Sequence, residues 1–362
     1  MTPNHQLPVT NYQLPVTNSH HRASSRLLLA LVALAILSPA PPARADDEPI
    51  PREVEFAVDR GLDWLNKNQD RTGAWAAGNS ATAAATGLAT MAFMARGHAP
   101  GQGPFGDTIN RGIDALLDLQ ARDGVIARPG EGQTMYDHGI CTVALCEAFG
   151  MLDERRQTRA RTAISNAVRV ILNAQRLSKN PNDQGGWRYT PDARDSDISV
   201  SGWQLMALRG ASNAGANIPQ AALDDGIAYI KRRAVMGGGF SYNTNSDPNA
   251  ARTGTGVLAL SLMGKPNESE VKSGGDYLLR TVRSPIPDEG HYYYTVYYCS
   301  QAAWQLGGNY WTTLNQRLSA DIRAKQKADG HWGEGESSDA YCTAMAILAL
   351  TVPYRYLPIY QR

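Results

Sequence analysis

Two acids one residue apart, Asp195 and Asp197, are candidates for acid–base chemistry in this 362-residue sequence. A carboxylic acid that protonates an apolar substrate needs a dry pocket and neighbours that hold its proton in place. Asp137, His138 and Cys141, and separately Asp339 and Cys342, carry the donor types of a metal site. Zinc takes four N, S or O ligands, or three in an open site, and neither group supplies three at helical register, so no metal is assigned. The stretch from His291 to Tyr298 holds six rings in eight residues. With Trp203 and Trp304 these rings, Tyr294 among them, could line a cavity for an apolar chain or steady a cation, and so many phenols call for partners in a wet lumen or on a ligand. Arg252 is costly to bury unless it meets an acid, for which Asp197 is the nearest candidate, or an anionic ligand such as a phosphate.

The elements that must position these residues follow from a repeat. Thr86, Thr142, Ser201, Thr253, Ser300 and Thr343 each sit near the start of a small, apolar stretch, at spacings of 56, 59, 52, 47 and 43 residues. Periods of this length indicate stacked supersecondary units. Ahead of each hydroxyl lies a second pattern, clearest in Arg60-Gly61, Trp64, Gln69, Gly73 and Trp75, and again in Ile322, Gln326, Gly330 and Trp332. Residues 111–124 and 171–187 keep most of it, and the two following units keep only Tyr229-Ile230 and Tyr277-Leu278 with a later Gly-aromatic stretch. Each unit reads as helix, Gly-rich turn, helix. The second helix is apolar all round and so buried. Six such pairs close into an all-α, α6/α6 toroid, with six buried helices inside and six amphipathic ones outside.

Four residues before the aligned hydroxyls stand Thr82, His138, Asp197, Asn249, Val296 and Asp339. Four of the six are N-capping types, which gives Asp197 a structural reading beside the chemical one. His138, Arg252, Tyr294, Trp203 and Asp339 are the candidate ligand-binding residues, with Asp197 and Asp195 as candidate acids. Cys141, Cys299 and Cys342 fall one position before their hydroxyls, at one level of the ring, and packed helix axes leave them too far apart for disulfides. Gly237-Gly238-Gly239 lacks the strand and lysine of a phosphate loop, and reads as a turn.

The N-terminus stands apart from this body. His20, His21, Arg22 and Arg26 precede an apolar run from Leu27 to Leu37 and a small-x-small site ending at Ala45. This predicts a secretory signal over residues 1–45 and one toroid domain over 46–362, exported from the cytoplasm. Eleven apolar residues fall short of the roughly 20 that span a bilayer, so no transmembrane anchor is expected. A seven-residue duplication over residues 4–17 suggests a translation start assigned too early. Cleavage would remove three arginines and no acid, moving the formal charge from +1 to −2. A near-neutral body lacks the basic stripe of a nucleic-acid binder.

The Gln-to-Trp elements in residues 60–75 and 317–332 resemble those of the prenyltransferase/squalene-oxidase repeat family, which includes the squalene cyclases and the β subunits of protein prenyltransferases. The resemblance spans roughly residues 53–353. It implies a toroid with a central cavity for an isoprenoid or lipid-like molecule. Asp195-Ser196-Asp197-Ile198-Ser199 is similar to the Asp-x-Asp-Asp-Thr motif with which class II cyclases protonate an alkene or epoxide, with Ile198 in place of the second adjacent acid. The expected function is an isoprenoid-binding toroid with cyclase-like activity in view. The alternatives are a non-catalytic scaffold or binding module and, more remotely, a sugar-cleaving toroid with paired carboxylates. No cofactor is identified.

Overall fold

In the computed structural model, residues 50–75, 82–128, 130, 132–283, 285–286, 291–333 and 338–361 are described. The expected signal over residues 1–45 lies outside the described residues, as do residues 76–81, 287–290 and 334–337.

The stretches that contain the repeated hydroxyl positions form apolar helices, rich in small and aliphatic residues except for the fifth, which is rich in tyrosine. They are α2 (Thr82–Ala95), α4 (Thr134–Ala148), α6 (Ile198–Asn213), α8 (Ala250–Leu262), α10 (Tyr292–Leu306) and α12 (Asp339–Leu350). With no polar stripe to turn towards water, each is buried on all sides. Between them run α1 (Arg52–Lys67), α3 (Gly106–Asp118), α5 (Glu154–Arg176), α7 (Gln220–Lys231), α9 (Ser269–Thr281) and α11 (Gly308–Ala324). These second six carry charged outer faces and place only one face against the core. Each inner helix packs on the next, and α12 packs back on α2, so the inner helices close a ring with the outer ones around it. This is the all-α toroid that the repeat pattern predicts.

The repeated side chains tie neighbouring hairpins together. Gln69, Gln120, Gln175 and Gln326 each donate both amide hydrogens, to the carbonyl of the turn glycine that follows and to a carbonyl of the next outer helix, at 2.7–3.0 Å. For Gln326 that carbonyl belongs to Ala57, so the last hairpin is fastened to the first. Trp75, Trp187 and Trp332 donate Nε1–H to carbonyls of their own outer helices and backbone N–H to the hydroxyls of Thr86, Ser201 and Thr343. Phe240 makes the same backbone bond to Thr253. The hydroxyls therefore hold the Gly-aromatic turns against the inner helices, which accounts for their spacing.

The turn needs glycine for two reasons. At Gly185 φ is +88°, and a Cβ there would stand 2.3 Å from the carbonyl oxygen of Asp225 on α7. The position is one residue before Gly186, the glycine aligned from sequence. All four cysteines are buried and none forms a disulfide. Cys141 and Cys299 instead donate Sγ–H to Ala83 and Ala250 on the preceding inner helices.

Candidate functional site

Asp197 lies at the start of α6 with no solvent exposure. One carboxylate oxygen accepts the N–H of Val200 at 2.9 Å, which is the capping geometry expected of its aligned position. The other lies 3.3 Å from Nη1 of Arg188. Burial pushes the carboxyl up to about 7, against the opposing pull of the Val200 N–H and the Arg188 guanidinium. Asp195 sits on the same guanidinium, 3.4 Å from Nε, but points to solvent. The two acids thus share one counter-ion and differ in environment.

Around Asp197 the rim is phenolic. Arg188 lies over the rings of Tyr189 and Tyr242, 4.2 and 5.3 Å from their centroids, and the hydroxyls of those two tyrosines are hydrogen-bonded to each other. Arg188 also donates to the Tyr242 hydroxyl at 3.1 Å. Further in, Tyr294 of α10 places its hydroxyl beside Ser199 of α6, Thr255 of α8 and Tyr136 of α4, and faces Tyr341 of α12. Side chains of five inner helices therefore gather around Tyr294, whose buried hydroxyl has no hydrogen-bond partner among the described residues. Tyr136, Tyr294 and Tyr341 are crowded by protein and half-buried. Burial pushes all three phenols up, and the Asp197 charge adds to the rise at Tyr136 and Tyr294.

Beneath this ring lies an aromatic floor. Trp203 stacks on Tyr297 with centroids 5.7 Å apart and meets Tyr298 edge-on, and Tyr298 in turn meets Tyr294 at 4.7 Å. Trp203, Tyr297 and Tyr298 are fully buried. Trp203 Nε1 and the Tyr298 hydroxyl have no hydrogen-bond partner among the described residues. Buried donors left unbonded cost about 1–3 kcal/mol each, so they mark a place where a small polar molecule or ligand group would be stabilising.

The other expected site residues lie elsewhere. His138 is wholly buried inside α4 rather than capping it, because the helix starts four residues earlier, at Thr134. Its Nδ1 accepts the N–H of Ile126 at 3.0 Å and its Nε2 lies 3.1 Å from the carbonyl of Ala167. Both ring nitrogens are used by the backbone, and burial lowers the imidazole to about 4, so His138 stays neutral and replaces a hydroxyl in the turn bond. Asp137 and Cys141 both turn to the start of α2, bonded to the N–H of Ala84 and the carbonyl of Ala83, while His138 turns away to Ile126 and Ala167, so the three donors of that cluster do not converge. Asp339 is the first helical residue of α12, whose cap is Ser338, and its carboxylate lies 3.7 Å from His331. Arg252 does not pair with Asp197. It donates to the Asp247 carbonyl at 2.7 Å and lies over the outer side of Tyr242, because Arg188 already occupies the acid.

Sequence reasoning missed Arg188, Tyr136 and Tyr341. A signal existed for the tyrosines: Tyr136 and Tyr294 both stand six residues before their aligned hydroxyls, and Ser199 and Tyr341 both stand two before theirs. Arg188 lies in the longer turn of the third unit, where no neighbouring unit provides a template.

The different placements of the two arginines predict different costs. At pH 8, Arg188→Ala should destabilise by about 2–4 kcal/mol, since it leaves a buried carboxylate unpaired. At pH 5 the loss should shrink, because Asp197 is already protonated there. Arg252→Ala should stay within about 0.5 kcal/mol at either pH. Urea denaturation of the two variants checks this, and equal losses would contradict the assignment.

No family model matches the chain, and no curated protein matches its sequence. Solved structures do match. The type II terpene cyclase MstE from Scytonema is similar over 86% of this chain and 100% of its own, with 13% identity and a TM-score of 0.55. A variant of it in complex with geranylgeranyl dihydroxybenzoate as substrate aligns at a TM-score of 0.53, with 13% identity over 85% of this chain and 98% of that one. A protein described as a possible member of the GH105 family from Klebsiella pneumoniae aligns at 0.57, with 13% identity over 92% and 99% of the two chains. The shared feature is the α/α-toroid fold, which hosts more than one chemistry.

Proposed function

We propose that this toroid is an exported protein that binds an apolar ligand of the isoprenoid class at the tyrosine-ringed recess, with Asp197 as the buried acid that meets the ligand's polar end. The observation that carries this reading is the convergence of five inner helices on Tyr294, over an aromatic floor and beside a carboxyl that is half-protonated near neutrality. An acid with a pKa near 7 lacks the driving force to protonate an unactivated alkene. The protonated form of Asp197 instead suits hydrogen-bond donation to a carbonyl, hydroxyl or epoxide oxygen. Arg188 and the Val200 N–H steady the carboxylate when the proton has left. Ring faces of Trp203 and Tyr298 offer apolar contact, and a weak hold on any positive charge.

A scaffold without a ligand is the second reading, favoured by the mutual stacking of Trp203, Tyr297 and Tyr298 across the lumen. Sugar cleavage by paired carboxylates has less support, since Asp195 and Asp197 meet a single guanidinium rather than facing each other across a groove. The experiment is mass spectrometry of organic extracts from the purified protein and from Tyr294→Ala. A stoichiometric isoprenoid-type compound in the wild type, absent from the variant, is the expected result. A wild-type protein that yields none, and retains no added geranylgeraniol, overturns the proposal in favour of the scaffold.

A further inference from the structure

The opposite mouth of the lumen is covered by the segment that follows α12. It makes short 3-10 turns at Val352–Tyr354 and Pro358–Tyr360, joined through Arg355, whose φ of 58° is the left-handed conformation that non-glycine residues adopt only under local constraint. Five of the six inner helices meet the segment at or near their C-terminal ends. The Tyr356 ring lies against Gly97, just past α2. The Ile359 N–H donates to Oε2 of Glu147 on α4 at 3.1 Å. Pro358–Tyr360 packs on α6, and Val352–Tyr354 packs on α10 and α12. Gln305 of α10 donates to the Tyr360 carbonyl at 2.9 Å, and the Tyr297 hydroxyl bonds that of Tyr360. Leu357, Ile359 and Tyr360 are buried, and Ala95, Gln301 and Leu348 line the narrow gap beneath them.

This cover is made of two short turns, held by four side-chain hydrogen bonds, the fourth from the Tyr354 hydroxyl to Glu55, and by four buried side chains, Val352, Leu357, Ile359 and Tyr360, with Arg96 over the Tyr354 ring and Arg355 over Trp304. Turns of that length, with no α-helical ladder of their own, open at a lower free energy than the helices around them. We infer that residues 352–361 form a stopper on the second mouth of the lumen, released when Glu147 ionises, and that its opening gives apolar molecules a route to the aromatic interior. The inference does not depend on what occupies the tyrosine ring at the other mouth.

Glu147 is the latch because it is the group here that titrates near neutrality. Burial pushes its carboxyl up to about 7, while the Ile359 N–H and the Arg209 guanidinium on α6 pull it down. The other titratable groups that face it are Cys146, beside it on α4, and Tyr360 of the stopper, and burial keeps both neutral. A solvated glutamate releases its proton near 4.3. The closed state therefore binds more protons than the open one, and raising the pH between these values favours opening, by roughly a hundredfold or more.

Amide hydrogen exchange of the intact protein at pH 5.5 and pH 8, corrected for intrinsic rates, tests this. Protection at Leu357, Ile359 and Tyr360 should fall by roughly thirtyfold between the two pH values in the wild type, while the inner-helix amides stay protected. Glu147→Gln keeps an acceptor and removes the titration, so its protection should be flat with pH. Tyr297→Phe removes a different tie and should lower protection by the same factor at both pH values, with the wild-type slope intact. The stopper is overturned if wild-type protection does not change with pH, if Glu147→Gln keeps the slope, or if these amides exchange only together with the inner helices.

Discussion

Trp332→Ala should lower the free energy of unfolding by about 3–5 kcal/mol, a large part of the margin on which a domain of this kind folds. The side chain is fully buried and joins three helices at the closure of the ring. Its Nε1–H is donated to Ile322 of α11 at 2.7 Å, its backbone N–H to Thr343 of α12 at 2.9 Å, and its ring lies against the space left by Gly61 on α1. Alanine would leave a cavity and remove one of the two hydrogen bonds that the Ile322 carbonyl accepts, the Lys325 N–H remaining. Gln326→Ala, which frees two backbone carbonyls at a more accessible position, should cost about 1–3 kcal/mol. Urea denaturation decides it. A loss below about 1 kcal/mol for Trp332→Ala would mean that the first and last hairpins do not need this wedge.

The second large effect is a pH dependence. Burial raises the Asp197 carboxyl to about 7 in the folded chain, against about 3.9 for a solvated aspartate. The stability linked to this group is therefore fully present below pH 4 and is lost as the pH rises through 7. Three pKa units correspond to a ceiling of about 4 kcal/mol. Asp197→Asn removes the titration while keeping a cap, since asparagine caps helices as well as aspartate does. Variant and wild type should thus be similar at pH 4, and the variant should gain on the wild type up to pH 8. Glu147 acts alike in both proteins and cancels in the difference. A difference that stays constant with pH would show that Asp197 remains ionised throughout and acts only as a cap and as the partner of Arg188.

Much of the fold can be read from the chain because repetition is written into it. Gln69, Gln175 and Gln326, with Trp75, Trp187 and Trp332, mark the same junction each time, since each junction needs two donors for two carbonyls and one large ring for the wedge. The aligned capping position was right at Asp197 and Asn249, where the cap bonds form. It was displaced at His138 and Val296, whose helices start four residues earlier, at Thr134 and Tyr292, and by a single residue at Asp339, whose helix is capped by Ser338.

By itself, then, the sequence determined the helical hairpins, their closure into a toroid, and the placing of Asp197 at an inner-helix start and of Trp203 and Tyr294 on inner helices. All of these follow from periodic apolar pattern and from local hydrogen-bonding needs. Only the tertiary structure decided which charges meet. Arg188 rather than Arg252 neutralises Asp197, His138 turns to the backbone, and Glu147 lies under Ile359, more than two hundred residues away. Pairings of this kind depend on the direction of single side chains across the lumen, and on how little water reaches them. A one-dimensional pattern carries neither.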